Sequence, residues 1–308
     1  MRRPLLITGP TASGKSKIAI RCAQRDCGLV VNADALQVYG CWQILTARPS
    51  PDDLAEAPHR LYGHIDAERR YSVGDWLRDL RSVLDEAAQS DLRPIIVGGT
   101  GLYMSSLVEG LADVPPSDPT IRQAAQDLID TNGLDRLLAD LERLDPVTLR
   151  RIDQQNPVRV QRAWEVLMTT GKGLADWQDA TPPPLLQPEA CDRIVVHPTT
   201  PVQNDAIEVR FRDMIMRGAI DEVRSFMDSG VSRALPSARA LGAEQLMRYL
   251  EGEFDLETAI RQAVTGTRRF AKRQRTWFRS RMSDWSWLDP TEVSGKRLDQ
   301  AVPSDLAQ

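Results

Sequence analysis

Three runs of apolar residues stand out in the first hundred positions, and none shows the alternation of a half-exposed strand. They are Leu5-Leu6-Ile7-Thr8, Gly28-Leu29-Val30-Val31-Asn32-Ala33-Asp34 and Pro94-Ile95-Ile96-Val97-Gly98-Gly99. Short continuous runs suit strands buried on both faces, so they predict a parallel sheet with helices on either side. Helical spacing appears between them. Residues 17–23 read as one helix. Ser72 opens another, in which Trp76, Leu77, Leu80, Val83, Leu84 and Ala87 recur on one side. Residues 37–58 are polar and irregular, and are expected to form a loop with short helical pieces.

From residue 120 to 172 the pattern is helical. Leu134, Leu137, Leu138, Leu141 and Leu144 form one amphipathic stripe. Asn156-Pro157 pairs an N-capping residue with proline at the first helical position. That helix turns Val160, Ala163, Trp164 and Leu167 toward a core, carries Arg159 and Arg162 on another face, and stops at Gly171. The arginine pair by itself reads as a solvated face, with Arg162 beside Glu165. Proline-rich stretches at 113–119 and 181–188 bracket this region. Asp192-Arg193-Ile194-Val195-Val196-His197 then returns to strand character, which makes the helical region an insertion. His197 reads as structural. A helix is expected over 205–229, with Ile207, Phe211, Met214, Ile215, Ile220, Val223 and Phe226 inward, and a last one over 256–281. After about Asp289 the chain is polar and expected to fray.

Chemistry enters at Gly9-Pro10-Thr11-Ala12-Ser13-Gly14-Lys15-Ser16, which fits the phosphate-binding loop G-x-x-x-x-G-K-[ST]. Glycines let the backbone wrap an anion with its N–H groups, and the following helix adds its positive end. Lys15 would reach the outer phosphates and Ser16 would sit on Mg²⁺. A chain of this length matches the pattern by chance about once in a hundred, and here a strand enters the loop and a helix leaves it. The expected fold is therefore α/β: a P-loop NTPase-like parallel-sheet core over 1–112 and 192–308, with an inserted helical lobe over 113–191. Asp34, at the end of the second strand, falls near this loop, and three roles stay open for it: base, Mg²⁺ ligand or turn cap. Gly98-Gly99-Thr100-Gly101 ends the third strand, either as a tight turn or as a close approach to ligand. Arg210 is left between the phosphate site and solvent.

Composition narrows the setting. The chain has 308 residues, enough for a sizeable core, and a formal charge of -4. Charge is unevenly spread: no acid stands between Glu257 and Asp284, where Arg268, Lys272, Arg275 and Arg279 share one helical face. That face is a candidate footprint for a phosphate backbone, with Phe270, Trp277 and Phe278 interleaved as core. Cys22, Cys27, Cys41 and Cys191 form no C-x-x-C pair, which favours free thiols over zinc or disulfides. No apolar run approaches the ~20 residues of a membrane span. Only Met1 to Pro4 precede the first strand, so no leader peptide is expected. A cytoplasmic monomer is the expectation.

Five colinear segments resemble the tRNA dimethylallyltransferase (isopentenyl-tRNA transferase) family. They are the loop at 9–16, Asp34-Ala35-Leu36-Gln37-Val38-Tyr39, the stretch 94–103 ending Gly98-Gly99-Thr100-Gly101-Leu102-Tyr103, Asn156-Pro157-Val158-Arg159-Val160-Gln161-Arg162-Ala163, and the basic stretch 271–279. The resemblance implies transfer of a dimethylallyl group from its diphosphate to N6 of the adenosine 3′-adjacent to the anticodon. It implies a P-loop core with an inserted helical lobe and the tRNA anticodon stem-loop between them, with Mg²⁺ as cofactor. By match, Asp34 would be the base at the adenine amine with Thr100 beside it. Gly9, Thr11, Ala12, Ser13, Gly14, Lys15, Ser16 and Arg210 would hold the diphosphate. Asp34, Ala35, Leu36, Gln37, Thr100, Arg122, Val158, Arg159, Val160, Gln161, Arg162, Arg239, Lys272 and Arg275 would touch tRNA.

The chain departs from the family pattern in places. Leu45-Thr46-Ala47-Arg48-Pro49 stands for G-T-A-K-P, Gly242-Ala243-Glu244-Gln245 for G-Y-[RK]-[QE], and Ala206 for a common arginine. A nucleoside or nucleotide kinase is the alternative reading. It shares the loop and the Asp, but it leaves the Arg159/Arg162 insert and the basic helix unexplained.

Overall fold

The computed structural model describes residues 2–290 and 302–304. The chain separates into two compact units: Met1–Val108 with Leu185–Gln308, and Glu109–Pro184. The helical unit thus starts and ends earlier than the 113–191 read from the prolines. Leu186 is buried in the sheet-side core, and its N–H donates to the Leu107 carbonyl at 3.1 Å, so the chain has rejoined the first unit by that point.

The first unit is built on six parallel strands in the order β3 (His59–Arg60), β2 (Gly28–Asn32), β4 (Arg93–Gly98), β1 (Leu5–Thr8), β5 (Asp192–Val196), β6 (Ser286–Leu288). Residues of β1 alternate faces, as the two-residue repeat requires. Leu6 joins one core with Leu29, Val31 and Ile96, covered by Trp76, Leu80, Met104 and Phe278. Leu5 and Ile7 join the other with Val30, Ile95, Val97 and Ile194, covered by Ile18, Ala19, Cys22 and Ala23. Burial on both faces explains why the sequence showed continuous apolar runs. At the start of β4, Arg93 is fully buried and bonds Asp26 and Asp192, so the charge carried into the core is paired.

Helices α1 (Lys15–Asp26), α2 (Pro51–Glu56), α3 (Val73–Gln89) and α4 (Gly101–Glu109) fill the first half. In α3, Ser72 and Asp75 form a reciprocal capping box. The second unit contains α5 (Pro119–Asn132), α6 (Asp135–Leu144), α7 (Pro146–Arg151), α8 (Pro157–Thr170) and α9 (Leu174–Asp179) around Ala125, Leu137, Leu141, Val160, Ala163 and Trp164. The Asn156 side chain caps α8, and Gly171 ends it in the left-handed region at φ 68°, as expected from the sequence. Back in the first unit come α10 (Thr200–Met216), α11 (Ala219–Asp228), α12 (Ala243–Leu250) and α13 (Leu256–Arg281). Their core joins Tyr39, Trp42 and Leu45 of the first half.

Three expectations are corrected. The single helix over 205–229 is two helices, because Gly218 at φ 100° breaks the backbone hydrogen-bond ladder between them. The second strand stops at Asn32, so Ala33 and Asp34 belong to the turn beyond it. The short edge strands β3 and β6 carried no apolar run and were not anticipated. The frayed tail expected after about Asp289 lies mostly outside the described residues.

Candidate active site

Because the strands are parallel, the segments that follow β1, β2 and β4 all emerge at the same edge of the sheet. In open α/β sheets this is where ligands are held. The loop after β1 is Gly9–Ser16, the turn after β2 carries Asp34, and the turn after β4 carries Thr100.

The phosphate loop is shaped by close contacts. A Cβ on Gly9 would lie 2.4 Å from the Val196 carbonyl oxygen, so no other residue fits there. Gly14 caps α1 at φ 85°, a conformation that side chains disfavour. No acid occupies the first turn of α1, so its positive end is left for an anion. The Ser13 hydroxyl is buried without a partner inside the loop. Lys15 makes one long bond, to the Pro10 carbonyl at 3.4 Å. Burial pulls its ammonium down from 10.5 to about 8, opposed by Asp34 and assisted by Arg210. Burial also lowers the pKa of Arg210, which donates to the Thr11 hydroxyl at 2.6 Å. Two crowded cations, an unpartnered buried hydroxyl and an open helix end together suit a diphosphate.

Asp34 is placed by its neighbours. The fully buried Asn32 side chain accepts from the Asp34 N–H at 2.9 Å and donates to the Asp34 carbonyl at 3.0 Å. The Asp34 Oδ1 accepts from the Leu36 N–H at 3.0 Å, so one oxygen does cap the turn. The other oxygen faces Gly99, where a Cβ would sit 3.4 Å from it. Thr100 Oγ1 accepts from the Ala35 N–H at 2.9 Å, which leaves its hydroxyl hydrogen to donate elsewhere. Gln37 bonds the Thr46 and Ala47 carbonyls at 2.8 and 3.0 Å and lies on a smaller cavity beside Ser16.

Thr11, Asp34, Ala35, Leu36, Thr100 and Arg210 open on one cavity of about 440 Å³. Thr46, Thr267, Arg273 and Gln274 complete its polar lining. The rest is apolar, from Leu45, Ile207, Phe211, Met214, Leu241, Phe270, Trp277 and Phe278. Thus Phe270 and Trp277, read as core, also line the cavity. Trp277 lies against Gly101, where a Cβ would come within 2.3 Å of its ring. Ser16 lies on a separate cavity of about 40 Å³, with Asp53, His59 and Tyr62. Among the described residues no group of three His, Cys, Asp or Glu could hold a metal ion. A Mg²⁺ here would have to be held by Ser16, by phosphate oxygens of the ligand and by water, as an ion that keeps much of its hydration can be.

The remaining candidates divide. Within the second unit, Arg122, Val158 and Arg159 are exposed, while Val160 is fully buried in that unit's core and its side chain reaches no partner. Gln161 bonds Glu165 at 3.0 Å. Arg162 donates to Ser117 Oγ and to the Pro115 carbonyl, and Ser117 bonds the buried Glu165, so this arginine holds its own unit together. In the first unit Arg239 and Lys272 are exposed. The basic face of α13 is not continuous. Arg275 is buried and donates to Gln203, and Arg268 is paired with Glu208 at 2.9 Å. Asn32 and Gln203 were not singled out from the sequence, and Arg273 and Gln274 entered only as part of the basic stretch 271–279. Neutral amides carry no charge or motif signal, and their value lies in what they face.

The IPP transferase family model matches residues 37–281. The chain is 50% identical to a tRNA dimethylallyltransferase of Paracoccus denitrificans over 288 residues, covering 93% of this chain and 94% of the relative. It is 52% identical to a tRNA dimethylallyltransferase of Cereibacter sphaeroides over 283 residues, covering 92% and 88%. The crystal structure of a tRNA isopentenylpyrophosphate transferase from Bacillus halodurans superimposes with a TM-score of 0.70 at 30% identity, covering 97% of this chain and 94% of that one. No helix among the described residues is long and apolar enough to cross a membrane.

Proposed function

The chain belongs to the IPP transferase family, and from that premise we propose the donor, the acceptor atom and the residues through which it works. It is a prenyltransferase that transfers a dimethylallyl group to tRNA. The donor is dimethylallyl diphosphate, and the acceptor is N6 of the adenosine 3′-adjacent to the anticodon. The enzyme acts in the cytoplasm, as a monomer. One observation carries this reading: a single cavity joins an apolar wall to Thr11 of the phosphate loop, to the Arg210 guanidinium that bonds it, and to Asp34, one carboxylate oxygen of which is not used in capping.

An exocyclic adenine amine is a weak nucleophile, so the donor carbon becomes reactive as its bond to diphosphate breaks. Negative charge then grows on phosphate oxygens. The loop N–H groups not already bonded within the fold, with Lys15 and Arg210, would receive it, and such preorganised groups usually supply the largest catalytic term. Mg²⁺ bound at Ser16 would neutralise part of the same charge. The second oxygen of Asp34 takes the amine proton, a contribution typically of about 10²–10⁴-fold. Thr100 donates its free hydroxyl hydrogen to the base. The apolar wall excludes water from the reactive carbon. The adenine must leave the stacked anticodon loop to enter.

The test is direct. Protein, dimethylallyl diphosphate, Mg²⁺ and tRNA are incubated, the tRNA is digested to nucleosides, and the adenosine carrying one added five-carbon group is identified by mass. Unmodified nucleosides would sink the proposal. The kinase alternative predicts phosphoryl transfer in a parallel incubation supplied with ATP and a nucleoside, and its absence there is expected.

A further inference from the structure

Thr11 is held at three atoms by side chains distant in sequence. Its N–H donates to Gln274 Oε1 at 2.9 Å, its carbonyl accepts from Gln203 Nε2 at 2.7 Å, and its hydroxyl accepts from Arg210. Gln274 does not stop there. Its Nε2 donates to the Gly99 carbonyl at 2.8 Å. One nearly buried amide therefore spans the crevice from the phosphate loop after β1 to the turn after β4. Gly99 lies between Gln274 and Asp34: a Cβ there would come 2.8 Å from the amide nitrogen and 3.4 Å from the carboxylate. The next residue is Thr100, whose N–H donates to the Ala33 carbonyl at 3.3 Å.

We propose that Gln274 is a positioning residue that sets the separation between the diphosphate cradle and the acceptor-side pair Asp34 and Thr100. The inference rests on the function proposed above. An amide suits the task because it accepts at one end and donates at the other. A cation at this point of α13 would meet the Thr11 N–H with the wrong polarity. Thr11 keeps its bonds to Gln203 and Arg210 when Gln274 is lost, so the cradle persists while its distance from Gly99 is released. Misplacement of about 1 Å between reacting groups costs on the order of 10²-fold in rate.

Gln274→Glu separates the two ends: it still accepts from Thr11 but cannot donate to Gly99. Gln274→Met removes both bonds at similar size. Single-turnover rate, donor affinity by calorimetry and melting temperature are measured for both against the wild type. The expected result is a rate loss of about 10²-fold in each, with donor affinity of Gln274→Met close to wild type and a lowered melting temperature in both, because the Gly99 carbonyl loses its buried partner. Gln203→Met, which frees the Thr11 carbonyl and also takes an acceptor from the buried Arg275 but leaves the Gly99 side untouched, should instead weaken donor binding more than it slows transfer. Wild-type rate in Gln274→Glu overturns the inference. So does a rise in donor KM with unchanged kcat, because Gln274 would then brace the phosphate loop alone. A wild type that transfers nothing to tRNA fails the functional proposal itself, and that outcome is distinct from both.

Discussion

Asn32 holds Asp34 by both backbone groups, accepting its N–H and donating to its carbonyl, while Leu36 occupies one of its carboxylate oxygens. The carboxylate is thereby presented with one oxygen committed to the turn and one directed toward Gly99. Asp34→Asn should keep the turn, because an amide oxygen can accept from Leu36, and should lose proton acceptance. Transfer is expected to fall by about 10²-fold or more, with donor and tRNA binding retained in equilibrium assays. Near-normal turnover at saturating substrate would remove Asp34 as the base and leave Thr100 as the next candidate.

Asn32→Ala tests the support rather than the chemistry. It strands the Asp34 N–H and carbonyl and also the Leu61 carbonyl, which Asn32 bonds at 3.0 Å. Leaving buried polar groups unpaired costs about 1–3 kcal/mol each. The variant should melt at lower temperature and show reduced kcat together. Lost kcat with unchanged melting would contradict the coupling.

Lys15 gives a pH dependence whose sign is set by its depressed pKa of about 8. Between about 8 and the ordinary 10.5 the unfolded chain holds more protons than the folded one. The free protein therefore gains stability from this group as pH rises through that window, and carries the full penalty below it. Donor binding behaves oppositely, because diphosphate favours the ammonium. Affinity should be greatest below pH about 8 and should fall above it, with proton uptake on binding near pH 8. Calorimetry of inorganic pyrophosphate in buffers of different ionisation enthalpy measures that uptake. Lys15→Arg should abolish it.

Arginines that looked alike in sequence should separate in a salt titration. Arg159→Ala and Lys272→Ala remove exposed cations and should weaken tRNA binding. Each should flatten its salt dependence by about 0.7–0.9 of a slope unit. Arg275→Ala should leave that slope unchanged and instead weaken donor binding, because Arg275 acts on Gln203 and so on Thr11. An equal slope change in all three would mean that Arg275 reaches RNA after all.

Glu222, at the start of α11, accepts from three successive backbone N–H groups, those of Gln43, Ile44 and Leu45. Leu45 lines the cavity, so this carboxylate shapes its wall from outside. Glu222→Ala should destabilise the fold by at least about 1.5–3 kcal/mol, the value of one charge-assisted bond, read from the midpoint of urea unfolding.

What was legible in the sequence was local. The phosphate loop could be read because its residue spacing is local and because a buried strand must precede it and a helix must follow, although the close contact that requires Gly9 comes from Val196. The continuous runs in β1, β2, β4 and β5 announced a sheet buried on both faces. The cap at Asn156 and the stop at Gly171 follow from hydrogen-bond needs at helix ends. Resemblance across five segments then pointed to tRNA prenylation, which periodicity alone did not contain.

Tertiary structure decided the rest, because the deciding contacts join positions far apart in the chain. Thr11 meets Gln274 across 263 residues, and no periodicity encodes that meeting. A basic helical face looks uniform when only spacing is known. Packing of α13 against α10 buries Arg275 and leaves Lys272 in water, since burial depends on the neighbour and not on the residue. The two-residue strand β3 and the three-residue strand β6 are strands because β2 and β5 offer them free edges. Asp34 carried three open roles as a letter in a sequence. The turn it sits in gives one oxygen to a backbone N–H and turns the other toward the cavity, and only the folded arrangement of β2 against β4 brings that oxygen opposite Gly99.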